Sequence, residues 1–308
     1  MISVLNLGRC DYATALRLQQ TLVELRQQDR IPNVLLFVEH PPVITLGRNA
    51  RSANIVASRE LLASRGVEVH EINRGGDVTF HGPGQLVAYP IFDLRSFTPK
   101  LGVIAYVRLL EEVLMRVCAQ YRIESQRIAG LTGLWTHPTA PPRLTQREPG
   151  RDYIPAAEKA AEEAVASHYP ERKIAAIGVH ISRGVTSHGF ALNVTTPLEF
   201  FQLIVPCGLT KPVTSIEFES GLSPALDEVM NHASRAFGDL FHAQMLWLES
   251  LHDLLPDESS VPAGGPHPPS FGECGEAEHT ASAPTPADMP ARAPENERRI
   301  ARDDFHLG

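Results

Sequence analysis

Residues 74–89 read RGGDVTFHGPGQLVAY, and the fold turns on how this stretch divides. Val78-Thr79-Phe80 and Leu86-Val87-Ala88-Tyr89 are short runs rich in β-branched and aromatic residues, which predicts two strands. Gly82-Pro83-Gly84 between them fixes a sharp turn, because proline presets one backbone torsion and glycine accepts conformations closed to other residues. The expectation is a glycine-lined hairpin, with Arg74 and the Gly75-Gly76 pair at its mouth and His81 and Gln85 near its tip. Such a surface can wall an apolar ligand while offering a few polar handles. Gly75-Gly76 alone does not specify a phosphate site, and no Walker loop or GxGxxG followed by an acid occurs in the chain.

Working outward, Val34–Val38 and, after Pro41-Pro42, Val43–Leu46 read as buried strands. Ala15, Leu18, Leu22 and Leu25 recur at helical spacing, predicting an amphipathic helix over 11–29. Residues 59–65 read as a short helix and 67–72 as a strand. A longer helix over 102–121 carries Tyr106, Leu110, Val113, Leu114 and Val117 on one apolar face. Strands are predicted at 173–181 and 188–194, and a helix over 224–251 starting near Pro224. This mixture predicts an α/β (α+β) domain. Two segments stand outside it. Residues 137–170 open Pro-rich and polar and continue as an exposed helical stretch from Pro155. Residues 253–308 hold nine prolines among small and charged residues and read as a disordered tail. The expected division is therefore a domain over 1–252, with 137–170 inserted in it, and a tail over 253–308.

The formal charge is −8, but the tail holds 11 acidic and 4 basic residues, so the body is near neutral. A globally basic nucleic-acid binder is disfavoured. The N-terminus shows no basic region leading into an apolar run, and no stretch is apolar enough to span a bilayer. A cytoplasmic protein with no membrane partner is expected. Four cysteines (Cys10, Cys118, Cys207, Cys274) show no CxxC pair or regular spacing, which does not favour a disulfide scaffold or a zinc site. Thirteen histidines form no HExxH pattern, so no metal is expected.

Two further blocks complete a pattern begun at Arg74: Lys173–Val179 (KIAAIGV) with Ser187–Asn193 (SHGFALN), and Val205-Pro206-Cys207-Gly208 followed by Val213-Thr214-Ser215. Together with RGGDVTFHGPG they resemble, in order, the octanoyltransferases, also called lipoate-protein ligase B. The resemblance covers roughly 1–136 and 171–250. It implies the fold of biotin and lipoate ligases, a mixed sheet flanked by helices. It also implies transfer of an octanoyl group from acyl carrier protein to a lysine of lipoyl domains, those of 2-oxoacid dehydrogenase complexes and the glycine cleavage H protein, with no cofactor. The family crosses 137–170 with a short connector, so this chain departs from it there.

Cys207 is the candidate nucleophile. Pro206 and Gly208 suggest a tight turn around it, and a thiol with an ordinary pKa of about 8.5 needs a nearby cation or base to react as thiolate. The resemblance assigns that role to Lys173, either as an ammonium that lowers the thiol pKa or as a base. It also implies a substrate pocket made of Arg74, Gly75, Gly76, Asp77, Val78, Thr79, Phe80 and His81, of Ala176, Ile177 and Gly178, and of Gly189, Phe190 and Ala191. Arg74 is open to two readings: contact with a carbonyl, phosphate or carrier acid, or bracing of its own loop through backbone carbonyls. His81 and His188 each precede a glycine and fit either a Cys–His pair or a hydrogen bond in a turn; the resemblance favours pocket roles. The rival reaction is ATP-dependent lipoate or biotin ligation on the same fold, which needs no cysteine. A non-catalytic acyl-carrier-binding relative is the third reading.

Overall fold

The computed structural model describes residues 1–137, 170–205 and 211–254, all within one compact unit, Met1–Glu276. The elements in order are β1 (Ile2–Arg9), α1 (Tyr12–Gln27), β2 (Asn33–Glu39), β3 (Val43–Leu46), α2 (Arg59–Ser64), β4 (Glu68–Glu71), β5 (Val78–His81), β6 (Gln85–Ile91), α3 (Val103–Gln120), β7 (Ser125–Ile128), β8 (Leu131–Thr136), β9 (Lys173–Ser182), β10 (Val185–Asn193), α4 (Ile216–Ser220), α5 (Leu226–Leu240) and β11 (Met245–Trp247).

Two sheets form. The larger runs β11-β1-β2-β6-β10-β9-β8-β7 and the smaller β4-β3-β5. β11, β1 and β2 are parallel, and the remaining neighbours of the large sheet are antiparallel. The expected mixed sheet flanked by helices is present. Alternation along β2 decides its layers. Leu35 and Phe37 enter the core beneath α3 and α5, while Val34, Leu36 and Val38 pack with Ala15, Leu18, Leu22 and Leu25 of α1. Burying both faces explains why this strand reads as an unbroken apolar run. Asp11 starts α1 by accepting a hydrogen bond from the Thr14 N–H at 2.8 Å.

The structure corrects the central expectation. Val78–His81 and Gln85–Ile91 are strands, but they do not pair as a hairpin. β5 pairs with β3 in the small sheet, whereas β6 lies between β2 and β10 in the large one. Gly82-Pro83-Gly84 is the bend by which the chain changes sheets. Apolar demand explains this: Val78 and Phe80 complete a separate small core with Ile44, Leu46, Leu62 and Leu203. The predicted 224–251 helix is also shorter, ending at Leu240, after which Met245–Trp247 joins the sheet edge beside β1. The expected insertion from residue 138 to 169, and the tail from 255 on, lie outside the described residues.

Candidate active site

A cleft of about 670 Å³ opens between the two sheets. Its walls include Thr79 and His81 from β5, Ala176, Ile177 and Gly178 from β9, and Gly189, Phe190 and Ala191 from β10, together with Arg74, Gly76, Asp77 and Lys173. Thus most of the residues expected to form one pocket converge on one cavity. The period of β5 divides the rest. Thr79 and His81 face the cleft, while Val78 and Phe80 turn into the small core, where Phe80 stacks on Phe200 at 4.9 Å. Gly75 acts through its backbone, donating its N–H to the Val179 carbonyl at 3.0 Å.

Arg74 is buried. Its guanidinium donates to the Thr45 carbonyl at 2.8 Å, to Thr45 Oγ1 at 3.0 Å and to the Gly75 carbonyl at 3.0 Å. These bonds brace its own loop, and Arg74 also lines the cleft. The loop it braces lies directly on β9: a Cβ at Gly178 would come 2.9 Å from the Gly75 carbonyl oxygen and 3.0 Å from Arg74 Cδ. Gly76 itself sits at φ +90°, a backbone conformation that favours glycine. Asp77 fastens the far side of the loop, accepting from the Val78 N–H at 2.8 Å and from Asn54 Nδ2. A side chain at Gly189 would run into the Ala88 carbonyl on β6, so this glycine serves strand contact as well as lining the cleft.

The rings of His81 and His188 hydrogen-bond to side chains. His81 Nδ1 lies 2.8 Å from Gln85 Oε1, Gln85 Nε2 donates to Asn193 Oδ1 at 2.9 Å, and Asn193 Nδ2 donates to the Thr214 carbonyl at 2.8 Å. The Thr214 N–H in turn donates to the Lys173 carbonyl at 2.9 Å. This series joins three of the sequence blocks through Gln85 and Asn193. His188, at φ +56°, has Nε2 2.8 Å from Asn73 Oδ1, and its N–H donates to Gln19 Oε1 at 2.9 Å. His40 Nδ1 donates to the Cys10 carbonyl at 2.7 Å, so its Nε2 accepts from the Tyr89 hydroxyl at 2.7 Å. Burial pushes His81 down to about 3, His188 down to about 3, with Arg74 adding to the effect, and His40 down to about 4. All three imidazoles are neutral at pH 7.

Lys173 is buried at the head of β9. Its N–H donates to the Pro212 carbonyl at 2.8 Å, and its Nζ lies 5.2 Å from the Trp135 ring centroid. Gly133 leaves room for the side chain: a Cβ there would stand 2.9 Å from Lys173 Cε. Val205, at the other side of residues 206–210, also lines the cleft, and its N–H donates to the Asn54 carbonyl at 2.7 Å. Cys207 and Gly208 fall within 206–210, outside the described residues. Cys118 is the free cysteine among the described residues, and burial pushes its thiol up to about 12.

Tyr12, Asn54, Gly133 and Trp135 belong to the site or its supports but to no block of the sequence pattern. Among the described residues no group of three or more histidine, cysteine or carboxylate side chains is placed to hold a metal ion, and no helix is long and apolar enough to cross a membrane.

Residues 11–238 match the family described as the lipoyl protein ligase A/B catalytic domain. An octanoyltransferase of Koribacter versatilis is 53% identical over the whole of both chains. An octanoyltransferase of Acidobacterium capsulatum is 52% identical, covering 85% of this chain and 98% of its own. Among solved structures, a bipartite lipoate protein ligase from Thermoplasma acidophilum superposes with a TM-score of 0.54 at 14% identity, over 80% of this chain and 87% of its own. Lipoate-protein ligase A bound with ATP gives 0.54 at 17%, over 81% and 89%. At these identities the solved structures establish the shared fold alone.

Proposed function

Since the chain belongs to the octanoyltransferases of the lipoyl protein ligase A/B catalytic-domain family, we propose that it moves an octanoyl group from octanoyl–acyl carrier protein to a lysine of a lipoyl domain by way of a Cys207 thioester. Acceptors are lipoyl domains of 2-oxoacid dehydrogenase complexes and the glycine cleavage H protein. The catalytic domain, expected over 1–252, extends to Leu254, which is buried with α1 and β2 side chains; 137–170 is an insertion within it and the residues that follow are an acidic tail.

One observation carries this reading: Lys173 and Val205 line the same cleft as Thr79, Ala176 and Ala191. Cys207 follows Val205 by two residues, a reach of at most about 7 Å between Cα atoms. In the first step Cys207 Sγ attacks the donor's thioester carbonyl, the carbon–sulfur bond to the carrier breaks, and the carrier thiolate takes a proton. In the second, the acceptor lysine's neutral amine attacks the acyl-enzyme, the bond to Sγ breaks, and an amide forms with loss of a proton. The first step exchanges like for like and the second runs downhill, so ATP has no role. Lys173 stabilises the thiolate as an ammonium, gives that proton to the departing carrier thiolate, and as the neutral amine then takes the proton lost by the attacking acceptor lysine. The octanoyl chain lies between Thr79 on one wall and Ala176, Ile177 and Ala191 on the other.

The test is mass spectrometry after incubation with octanoyl–acyl carrier protein without ATP. An octanoyl adduct on Cys207 that transfers to an added lipoyl domain is the expected result. Cys207→Ser should give no adduct, and Lys173→Ala should slow adduct formation while leaving melting temperature near wild type. Wild-type transfer by Cys207→Ser, or a strict need for ATP, would overturn the reading.

A further inference from the structure

β9 departs from strict alternation at its start. Leu134 pairs with Ala175 and Trp135 with Lys173, so Ile174 is one residue more than β8 can match. Farther along, Ala176 and its partner Ala191 line the cleft, while Ala175 and its partner Leu192 enter the core under α3 and α5. Continued alternation would send Ile174 toward the cleft and Lys173 into that core. The reverse is found: Ile174 is fully buried in the core and Lys173 lines the cleft. An extra residue re-aims side chains in this way.

β8 receives the re-aimed lysine. Gly133 has φ +124°, and a Cβ there would lie 2.6 Å from the Ala175 carbonyl oxygen as well as against Lys173 Cε. Next to that space stands the Trp135 indole, buried and pinned by its own Nε1–H, which donates to the Leu131 carbonyl at 3.3 Å. The same ring has a second cation, Lys211 Nζ, 5.9 Å from its centroid, and Lys211 is ion-paired with Glu171 at 2.6 Å. Lys211 is the first described residue after 206–210. One indole therefore meets the cleft lysine and the downstream flank of the segment that contains Cys207.

We propose that Trp135 is a positioning residue for acyl transfer, its ring holding the Lys173 head group in the space left by Gly133. The proposal rests on the role given to Lys173 above. The negative face of an indole attracts a cation and so favours that position of the Lys173 head group. An ammonium held there lowers the pKa of a thiol brought beside it.

The chain has two tryptophans, which permits an isosteric test. With Trp247 of β11 replaced by Phe, Trp135 is the remaining one and can be exchanged for tryptophan carrying one to four fluorines. Fluorine weakens the ring's negative face with little change in volume. Across the series kcat for octanoyl transfer should fall stepwise by about threefold to tenfold, the span a partly desolvated cation–π contact supports, while KM for octanoyl–acyl carrier protein stays within about twofold. The midpoint of Cys207 alkylation against pH should rise in step. Trp135→Leu should lose more activity, with Trp135→Phe between it and wild type. Flat kcat and flat alkylation midpoints across the fluorinated series overturn the proposal, whether or not Trp135→Leu folds. Lys173→Ala, measured alongside, separates the two failures. If it leaves transfer intact, the reading of Lys173 falls and that of Trp135 with it. If it impairs transfer while the series is flat, the Trp135 proposal alone falls.

Discussion

Nδ1 of His81 and Oε1 of Gln85, 2.8 Å apart, join two sheets whose strands never pair there. His81 ends β5 and Gln85 begins β6. Gln85 Nε2 donates to the Phe80 carbonyl at 3.2 Å and to Asn193 Oδ1, so its Oε1 must accept. His81 therefore carries its proton on Nδ1, leaving Nε2 as an acceptor on the cleft side.

Gln85→Leu should break this joint. It would strand the buried His81 N–H and deprive Asn193 of a donor, and each buried polar group left without a partner costs about 1–3 kcal/mol. We expect a clear fall in melting temperature and in octanoyl transfer, with Gln85→Glu less damaging because it keeps the acceptor for His81. Equal melting temperatures for wild type and Gln85→Leu would contradict this.

Acid should destabilise the protein earlier than its carboxylates would require. His40, His81 and His188 titrate at about 4, about 3 and about 3 when folded, against about 6.5 when unfolded. The unfolded chain therefore binds more protons than the native one below about pH 6.5, so stability is intact above that value and is lost as pH falls toward 4 and 3. The slope is up to about 1.4 kcal/mol per pH unit for each histidine. Denaturant melts between pH 4.5 and 8 should show a plateau above 6.5 and a decline below it. His40→Gln should make the decline shallower.

Much of this architecture is legible in the chain, and the failures share one cause. Alternation and helical spacing are local, so β2, β3, α1 and α3 fall within a residue or two of expectation. Pairing is not local. Val78–Phe80 and Leu86–Tyr89 read as strands about one tight turn, yet nothing within them shows that each finds its partner elsewhere. β11 is three residues long and gains its identity from β1, more than 240 positions away. The site shows the same limit. Glycine-rich motifs mark the cleft, but Gly133 and Trp135 matter only because an extra residue in β9 turns Lys173 toward them.

Gly178→Ala should disable transfer by displacing the loop above it. The new methyl would meet the Gly75 carbonyl oxygen and Arg74 Cδ at 2.9 and 3.0 Å, and backbone cannot yield as a side-chain tip can. Overpacking of this kind costs about 1–3 kcal/mol. Loss of activity should exceed loss of stability, because Arg74 and Gly76 both line the cleft. Steady-state rates and thermal melts on the same samples test this.

Chain-length preference should respond to Ala176 and Ala191, which face each other across β9 and β10 on the cleft wall. Ala176→Leu fills space an acyl chain would use. Each methylene excluded from apolar surroundings forfeits about 0.8 kcal/mol. The variant should prefer hexanoyl over octanoyl carriers, and wild type should prefer octanoyl over both butanoyl and palmitoyl. An unchanged order for Ala176→Leu would place the chain elsewhere in the cleft.

Truncation should separate tail from domain at Leu254. This residue is buried with α1 and β2 side chains, and Leu251 packs beside it. A chain ending at Pro256 should keep its transfer rate and melting temperature. A chain ending at Ser250 exposes that core and should lose about 2–4 kcal/mol, on the scale of one or two buried leucines. Equal stability of the two would show that Leu254 contributes nothing.

The parallel pairing of Ile2 with Met245 has a consequence during synthesis. One edge of β1 has its partner only when the last described strand has left the ribosome. At about 5–20 residues per second, the intervening chain takes on the order of 12–50 s to make. For that period a strand edge beginning ISVLNL stands open to other nascent chains. Chaperone capture of β1 on nascent chains, ending once Trp247 emerges, is the outcome expected of that geometry.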